Sequence, residues 1–256
     1  MALIIRIDVD RPYGQQGLVR HVASRLSSDY FLPRMEWLRY LDELKTILGI
    51  LNANGKTAHV FFRKCTYPTP EVCELMEAGG HRFGLHLENS RSAETFQEEL
   101  RALEQGLGRG IVEFSKHGSG RLHLGRHHYV PYEPERYLPW ARQAGMRLFF
   151  GNLEDPQLSP IQEGELLFYP SAFWLEPFWR DTKKFPIEWL LREAAERDTV
   201  MLMHPDNVTA SAEIMREFKR AVETLETAEP PALSPASRLG GAAAGLPGAV
   251  SFRRIG

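Results

Sequence analysis

Leu3-Ile4-Ile5-Arg6-Ile7-Asp8-Val9-Asp10-Arg11-Pro12 is the stretch from which the rest of the chain is read. Residues 3 to 9 are mostly branched and apolar, too few for an ordinary helix, and Pro12 ends the run. That combination predicts a strand buried on both faces. Asp8 and Asp10 stand where the strand finishes. Side chains at i and i+2 of a strand point to the same side, so the two carboxylates are expected to project together. Strand ends are also where parallel α/β folds build their sites. The plainer alternative makes both acids turn residues ahead of Arg11-Pro12.

Outward from this strand the hydrophobic pattern alternates between two periods. Residues 13 to 31 show no sustained period and read as a long loop, of a length uncommon unless functional. A helix follows from 35 to 51, with Trp37, Leu38, Leu41, Leu44, Leu48 and Leu51 on one face and Gly55 as its stop. Further strands are expected at 57–62, 82–87, 111–115, 146–150, 166–169 and 199–203. Between them lie helices that open at Pro70, run through Phe96, Leu100, Leu103 and Leu107, and cover 134–144 and 186–196; a last helix spans 210–225. A basic, aromatic loop occupies 119–132, and an aromatic one carries Phe173, Trp174, Phe178 and Trp179. Seven short strands separated by helices argue a parallel βα architecture. Seven rather than eight points to a distorted barrel. An open doubly wound sheet is the alternative, because strand count alone closes no barrel. We expect one domain over 1–226 and an Ala/Pro/Gly-rich tail over 227–256 with a disorder-like composition.

Composition narrows the function classes. At 256 residues and 43% hydrophobic content the chain buries a substantial core. A formal charge of −2 offers nothing to a polyanion, so no nucleic-acid partner is expected. Two cysteines, Cys65 and Cys73, build neither a disulfide framework nor a paired-thiolate metal motif. No apolar run reaches about 18 residues and the start lacks the pattern of a leader, so the expectation is no membrane span and a cytoplasmic location.

The titratable residues then fall into a pattern. Asp8 and Asp10 end the first strand, His86 the third; His117 follows the fourth and His204 the last. Four strands deliver an acid or an imidazole to what should be one rim. Imidazole and carboxylate together suit zinc and similar divalent ions, and three protein ligands with an open position mark a catalytic site. A lone histidine at a strand end is more often a hydrogen-bonded bystander. Their coincidence at equivalent positions is the signal. His59, inside a strand, and His81, after a helix stop, are given no role.

At this point the chain resembles a family. Ile7-Asp8-Val9-Asp10, Thr57 to Phe62, Gly79-Gly80-His81-Arg82-Phe83-Gly84-Leu85-His86, Ala141 to Met146 and Met201-Leu202-Met203-His204 are similar, in that order, to the polysaccharide deacetylases of the NodB-homology type, carbohydrate esterase family 4-like. The likeness covers roughly residues 3 to 206. It implies a distorted (β/α)7 barrel and metal-dependent removal of N- or O-acetyl groups from sugars. Asp8 then corresponds to the catalytic base, Asp10 to a metal ligand, His86 to the first histidine ligand and His204 to the catalytic acid. The departure is Ser90, which stands where the usual His-x-x-x-His pattern has its second histidine. A divergent branch carries a Ser-x-His-Gly-like element after the next strand, which Ser115-Lys116-His117-Gly118 fits; His117 is therefore the expected third ligand.

With a divalent cation, zinc first among the choices, held by Asp10, His86 and His117, Asp8 would take a proton from water. His204 would give one to the departing sugar amine. Arg126, from the basic loop, is the expected orienter of Asp8. Trp174 and Tyr132 are expected against the sugar face or the acetyl pocket, ordinary packing being the equal alternative. The location suits a soluble acetylated precursor of surface polysaccharide, and deacetylase-like proteins of O-antigen biosynthesis resemble this chain. Two other classes stay open: a metal-dependent hydrolase of a non-sugar amide, and a carbohydrate-binding relative without catalysis.

Overall fold

The computed structural model describes residues 2–10, 41–118, 129 and 131–227, with isolated helical positions at 19, 22, 23 and 26. The described strands are β1 (Leu3–Val9), β2 (His59–Phe62), β3 (Arg82–Leu87), β4 (Glu113–Lys116), β5 (Leu148–Leu153), β6 (Ile161–Glu163), β7 (Leu166–Ser171), β8 (Phe173–Trp174) and β9 (Thr199–Met203). Helices α1 (Leu41–Ala53), α2 (Pro70–Ala78), α3 (Ala93–Leu107), α4 (Pro134–Gln143), α5 (Ile187–Glu196), α6 (Pro205–Ala210) and α7 (Ala212–Thr224) connect them. They form one sheet in the order β6-β7-β5-β4-β3-β2-β1-β9-β8. Only the β6–β7 pair is antiparallel.

All seven strands expected from sequence are present and mutually parallel. Two differences follow from element length. β6 has three residues and β8 two, too short for any alternation to show. The helix expected at 210–225 is α7, opened by Ser211, whose hydroxyl accepts from Ile214 N; the six-residue α6 just before it was not expected.

The period-2 pattern of β1 sorts residues between two interiors. Leu3, Ile5, Ile7 and Val9 join a large core beneath the helices, with Leu44, Leu48, Phe114, Phe149 and Met203. Ile4 belongs to a second, smaller cluster with Phe61, Leu148, Phe150, Tyr169, Val200 and Leu202, contributed by five strands. Such a cluster requires a curled sheet. The Arg6 guanidinium shows the same curl: Nη1 donates to Gly151 O at 2.6 Å, although β1 and β5 are four positions apart in the sheet. A flat sheet would separate those strands by about 19 Å. The strand set therefore forms an open, distorted barrel with its own interior.

That interior turns polar toward the C-terminal ends of the strands. His59 meets Glu113 within it, while His81 accepts from Ala58 N at the other end of β3, so both histidines are structurally paired. Above them come Arg6, Asp8 and Asp10 from β1, His86 from β3, Ser115 and His117 from β4, and His204 just past β9. All are buried except His204, which is nearly so. The tail residues 228–256 lie outside the described residues. Among the described residues no helix is long and apolar enough to cross a membrane.

Gly84 faces this interior on β3, paired with Phe61 of β2. A Cβ built on it would stand 2.3 Å from Phe61 Cδ1 and Cε1, in a ring fully buried and 5.4 Å from the Phe150 ring. Gly84→Ala should therefore destabilise the fold by about 1–3 kcal/mol through overpacking. Urea denaturation checks this, and an unchanged midpoint would show that the ring has room to yield.

Candidate active site

The centre lies where β1, β3 and β4 end together. His117 Nδ1 is 2.6 Å from Asp10 Oδ2 and 3.1 Å from His86 Nε2, and the third side, His86 Nε2 to Asp10 Oδ2, is 3.8 Å. Tetrahedral ligands at zinc distances stand about 3.4 Å apart, and the three separations bracket that value. One carboxylate oxygen and two imidazole nitrogens, all buried, are also the donor set that divalent transition ions take. The residues fit a metal, and Asp10, His86 and His117 are those that could hold it.

Hydrogen-bond accounting shows how His86 is aimed. The Ser115 hydroxyl donates to Asp8 Oδ1 at 3.3 Å and lies 2.7 Å from His86 Nδ1. A hydroxyl has one proton, so His86 Nδ1 must carry the N–H that Ser115 accepts. The His86 Nε2 lone pair then faces Asp10 and His117. Ser115 and His86 are neighbours in the β3–β4 register, so the strand pairing itself supplies this relay.

Asp8 is gripped from below. Arg6 donates to it twice, from Nε to Oδ1 at 3.0 Å and from Nη2 to Oδ2 at 2.6 Å, while Nη2 also reaches Asn152 Oδ1. Burial opposes ionisation of Asp8, but Arg6 outweighs it and holds the carboxyl below its ordinary range. Asp10 lies further below: the hydrogen bond from His117 and the guanidinium of Arg63 overcome its burial. His117 is pushed well down by burial and so stays neutral, making its contact with Asp10 a hydrogen bond rather than an ion pair.

His204 is the opposite case. Burial works against its charge, but Glu176 Oε1 accepts from its backbone N and meets its Nδ1, both at 2.8 Å, and raises the imidazole to about 9. His204 is an imidazolium at neutral pH. Beside it, burial raises Asp206 to about 8, with the Glu176 carboxylate pushing the same way; neither oxygen of Asp206 has a hydrogen-bond partner among the described residues.

The remaining sequence expectations divide. Trp174 lies with its ring 5.9 Å from that of His204 and is partly exposed at the mouth of the interior. Tyr132 packs with the helix-side core, its ring 6.3 Å from that of Tyr137. Arg126 lies outside the described residues, and the arginine that orients Asp8 is Arg6. Arg6, Arg63, Glu88 and Glu176 have no role in the sequence expectations, and Ser115 enters there only as the first residue of the Ser-x-His-Gly element. Arg6 carried a signal: it is a charge inside an apolar strand, two residues before Asp8. Glu176, inside Phe173-Trp174-Leu175-Glu176-Pro177-Phe178, carried the same kind.

No protein-family model matches the chain, and no curated protein does. Among solved structures it is similar to the peptidoglycan deacetylase PdaC from Bacillus subtilis (mutant D285S). The identity is 12% and the TM-score 0.43, over 88% of this chain and 85% of that one. It is also similar to a family 4 acetyl xylan esterase from Clostridium thermocellum in complex with a cobalt ion. There the identity is 12% and the TM-score 0.34, over 84% of this chain and 83% of that one.

The raised His204 makes its contact with Glu176 a pH-dependent source of stability. It is fully present below about 6.5, the unfolded value, and lost as pH climbs through about 9. Glu176→Gln should bring the His204 titration down by at least one unit. NMR observation of the imidazole tests this; a titration left near 9 would place the cause elsewhere.

Proposed function

We propose that this chain is a metal-dependent hydrolase that removes an N-acetyl, or O-acetyl, group from a sugar. One observation carries the reading. The buried Asp10–His86–His117 triangle lies on the same rim as a carboxylate held ionised, Asp8, and an imidazole held protonated, His204. Two titratable groups whose surroundings drive them apart mark the base and the acid of a proton-transfer reaction.

Asp10 Oδ2, His86 Nε2 and His117 Nδ1 would hold a divalent ion, zinc suiting the donor set best, and such an ion supplies Lewis acidity toward a water and an acyl oxygen. The rest is the work of this chain's side chains. Asp8 is the base. An ionised carboxylate offers about four acceptor positions. Arg6 Nε and Ser115 take those on Oδ1, and Arg6 Nη2 one on Oδ2, leaving Oδ2 open for the proton of the attacking water. The bidentate arginine fixes the direction of that lone pair and keeps Asp8 ionised across the neutral range. His204 is the acid. Its Nδ1 is occupied by Glu176, so the opposite nitrogen, Nε2, delivers the proton to the departing amine or alcohol. Trp174, beside His204, is where the sugar carrying that leaving atom would lie, since an indole face matches the apolar face of a pyranose.

The acetylated-sugar substrate follows from the motif resemblance together with this placement, and a setting in surface-polysaccharide or O-antigen precursor synthesis follows from the resemblance alone. One catalytic domain over 1–226 and a cytoplasmic location complete the proposal.

Purified protein should contain about one divalent ion per chain and release acetate from acetylated sugars. His117→Ala should lose the ion. Asp8→Asn should keep it while acetate release falls by roughly 10²–10⁴. A wild-type protein that takes up no ion after metal repletion, or an Asp8→Asn variant of full activity, would defeat the reading.

A further inference from the structure

Arg63 is a guanidinium buried inside the centre, and neither the motif resemblance nor the proton-transfer scheme uses it. It stands one residue past β2 and is fully buried. Its backbone N donates to the Thr66 hydroxyl at 3.2 Å, and that hydroxyl lies 2.8 Å from Val9 O, so the turn after β2 is tied to the last residue of β1. The tie brings the side chain against Asp10. Nη1 donates to Asp10 Oδ1 at 2.5 Å and lies 3.4 Å from His117 Nε2, while Nη2 donates to Glu88 Oε1. Glu88 is fixed in turn, its backbone N donating to Glu99 Oε2 at 2.8 Å.

Two consequences follow from this geometry. A carboxylate ligand can present one oxygen or two. With Oδ1 engaged by Arg63, Asp10 presents only Oδ2, the oxygen on the side of His117 and His86. A permanent positive charge beside a cation site would also repel the cation, and Glu88 cancels that charge at close range.

We propose that Arg63 and Glu88 together form a charge-neutral positioning pair that makes Asp10 a one-oxygen ligand of the cation centre. This rests on the reading that Asp10, His86 and His117 hold a divalent ion. Arg63 acts through Asp10 and touches no reacting atom.

The test uses the full chain stripped of metal with a chelator and titrated with Co²⁺ alone. Affinity is read by competition with a chromogenic chelator, and coordination by the visible absorption of the bound ion. Removing the pair without changing net charge, in Arg63→Met/Glu88→Gln, should weaken Co²⁺ binding about 10- to 100-fold. The absorption should also weaken, as expected for a higher coordination number once Arg63 no longer holds Oδ1. Glu88→Gln alone, which leaves the guanidinium uncancelled, should weaken binding without changing the absorption intensity. Arg63→Lys/Glu88 wild type keeps the charge but offers no planar fork, and should recover part of the affinity. Near-UV circular dichroism of each variant checks that the fold is kept, with Glu88→Gln the most conservative of the set. A double variant with wild-type affinity and spectrum would overturn the role of Arg63, as would one that binds more tightly, which would make Arg63 a competitor of the ion. A wild-type protein that binds no Co²⁺ would instead defeat the metal reading itself, and the two failures are distinguished by that single control.

Discussion

Two guanidinium–carboxylate pairs on the inner face of a curled sheet are what the centre depends on. Asp8 and Asp10 are each about 2% exposed, and a carboxylate so buried stays charged only with a fixed cation against it. Arg6 serves the first and Arg63 the second, both themselves buried. Breaking such a pair by removing one partner costs about 3–5 kcal/mol, since it strands the other charge. The arrangement is thus stable only as a set, and the set is aimed. The donors on Asp8 and Asp10 fix how each carboxylate is turned, and the Asp10 oxygen Oδ2 faces the two imidazoles.

The same interior separates acid from base by environment. Toward β1 Arg6 on Asp8, and the His117 hydrogen bond with Arg63 on Asp10, outweigh burial and hold both aspartates ionised; toward β9 a buried glutamate outweighs burial and holds His204 protonated. His117, which meets Asp10, is kept neutral by burial, the charge state from which an imidazole can become a ligand by giving up its Nδ1 proton. Proton acceptor, cation ligands and proton donor are thereby arranged around one rim, each in the protonation state its task needs. The curl of the sheet makes this possible, because β1 and β9 are neighbours while β5 folds over to supply the carbonyl and amide that steady Arg6.

Much of this was legible in the residues. Seven strands, their parallel sense, the rim on which the acids and histidines gather, and the pairing of Asp8 with Asp10 all follow from period and length. The two short strands β6 and β8 were not legible, as two or three residues carry no period. Nor was the partner of Asp8. The sequence points to Arg126 of the basic loop, which lies outside the described residues; the guanidinium seen in contact is Arg6, two residues away on the same face of the same strand. The alternation rule that paired Asp8 with Asp10 applies equally one step back, so that signal was present and unused. Glu176 and Arg63 are different. Each reaches its partner across strands, over 28 residues to His204 and 53 to Asp10, and no local pattern reports such a contact.

The sequence by itself determined which side chains share a face, because strand geometry fixes direction at every second residue. It thereby selected Asp8 and Asp10, and the ends of β3, β4 and β9 as the places to look. Only the tertiary structure decided distances and charge states. Curvature sets how near β4 comes to β1, and burial sets what an ionised group costs. Both are properties of the whole sheet, so no single stretch of chain contains them.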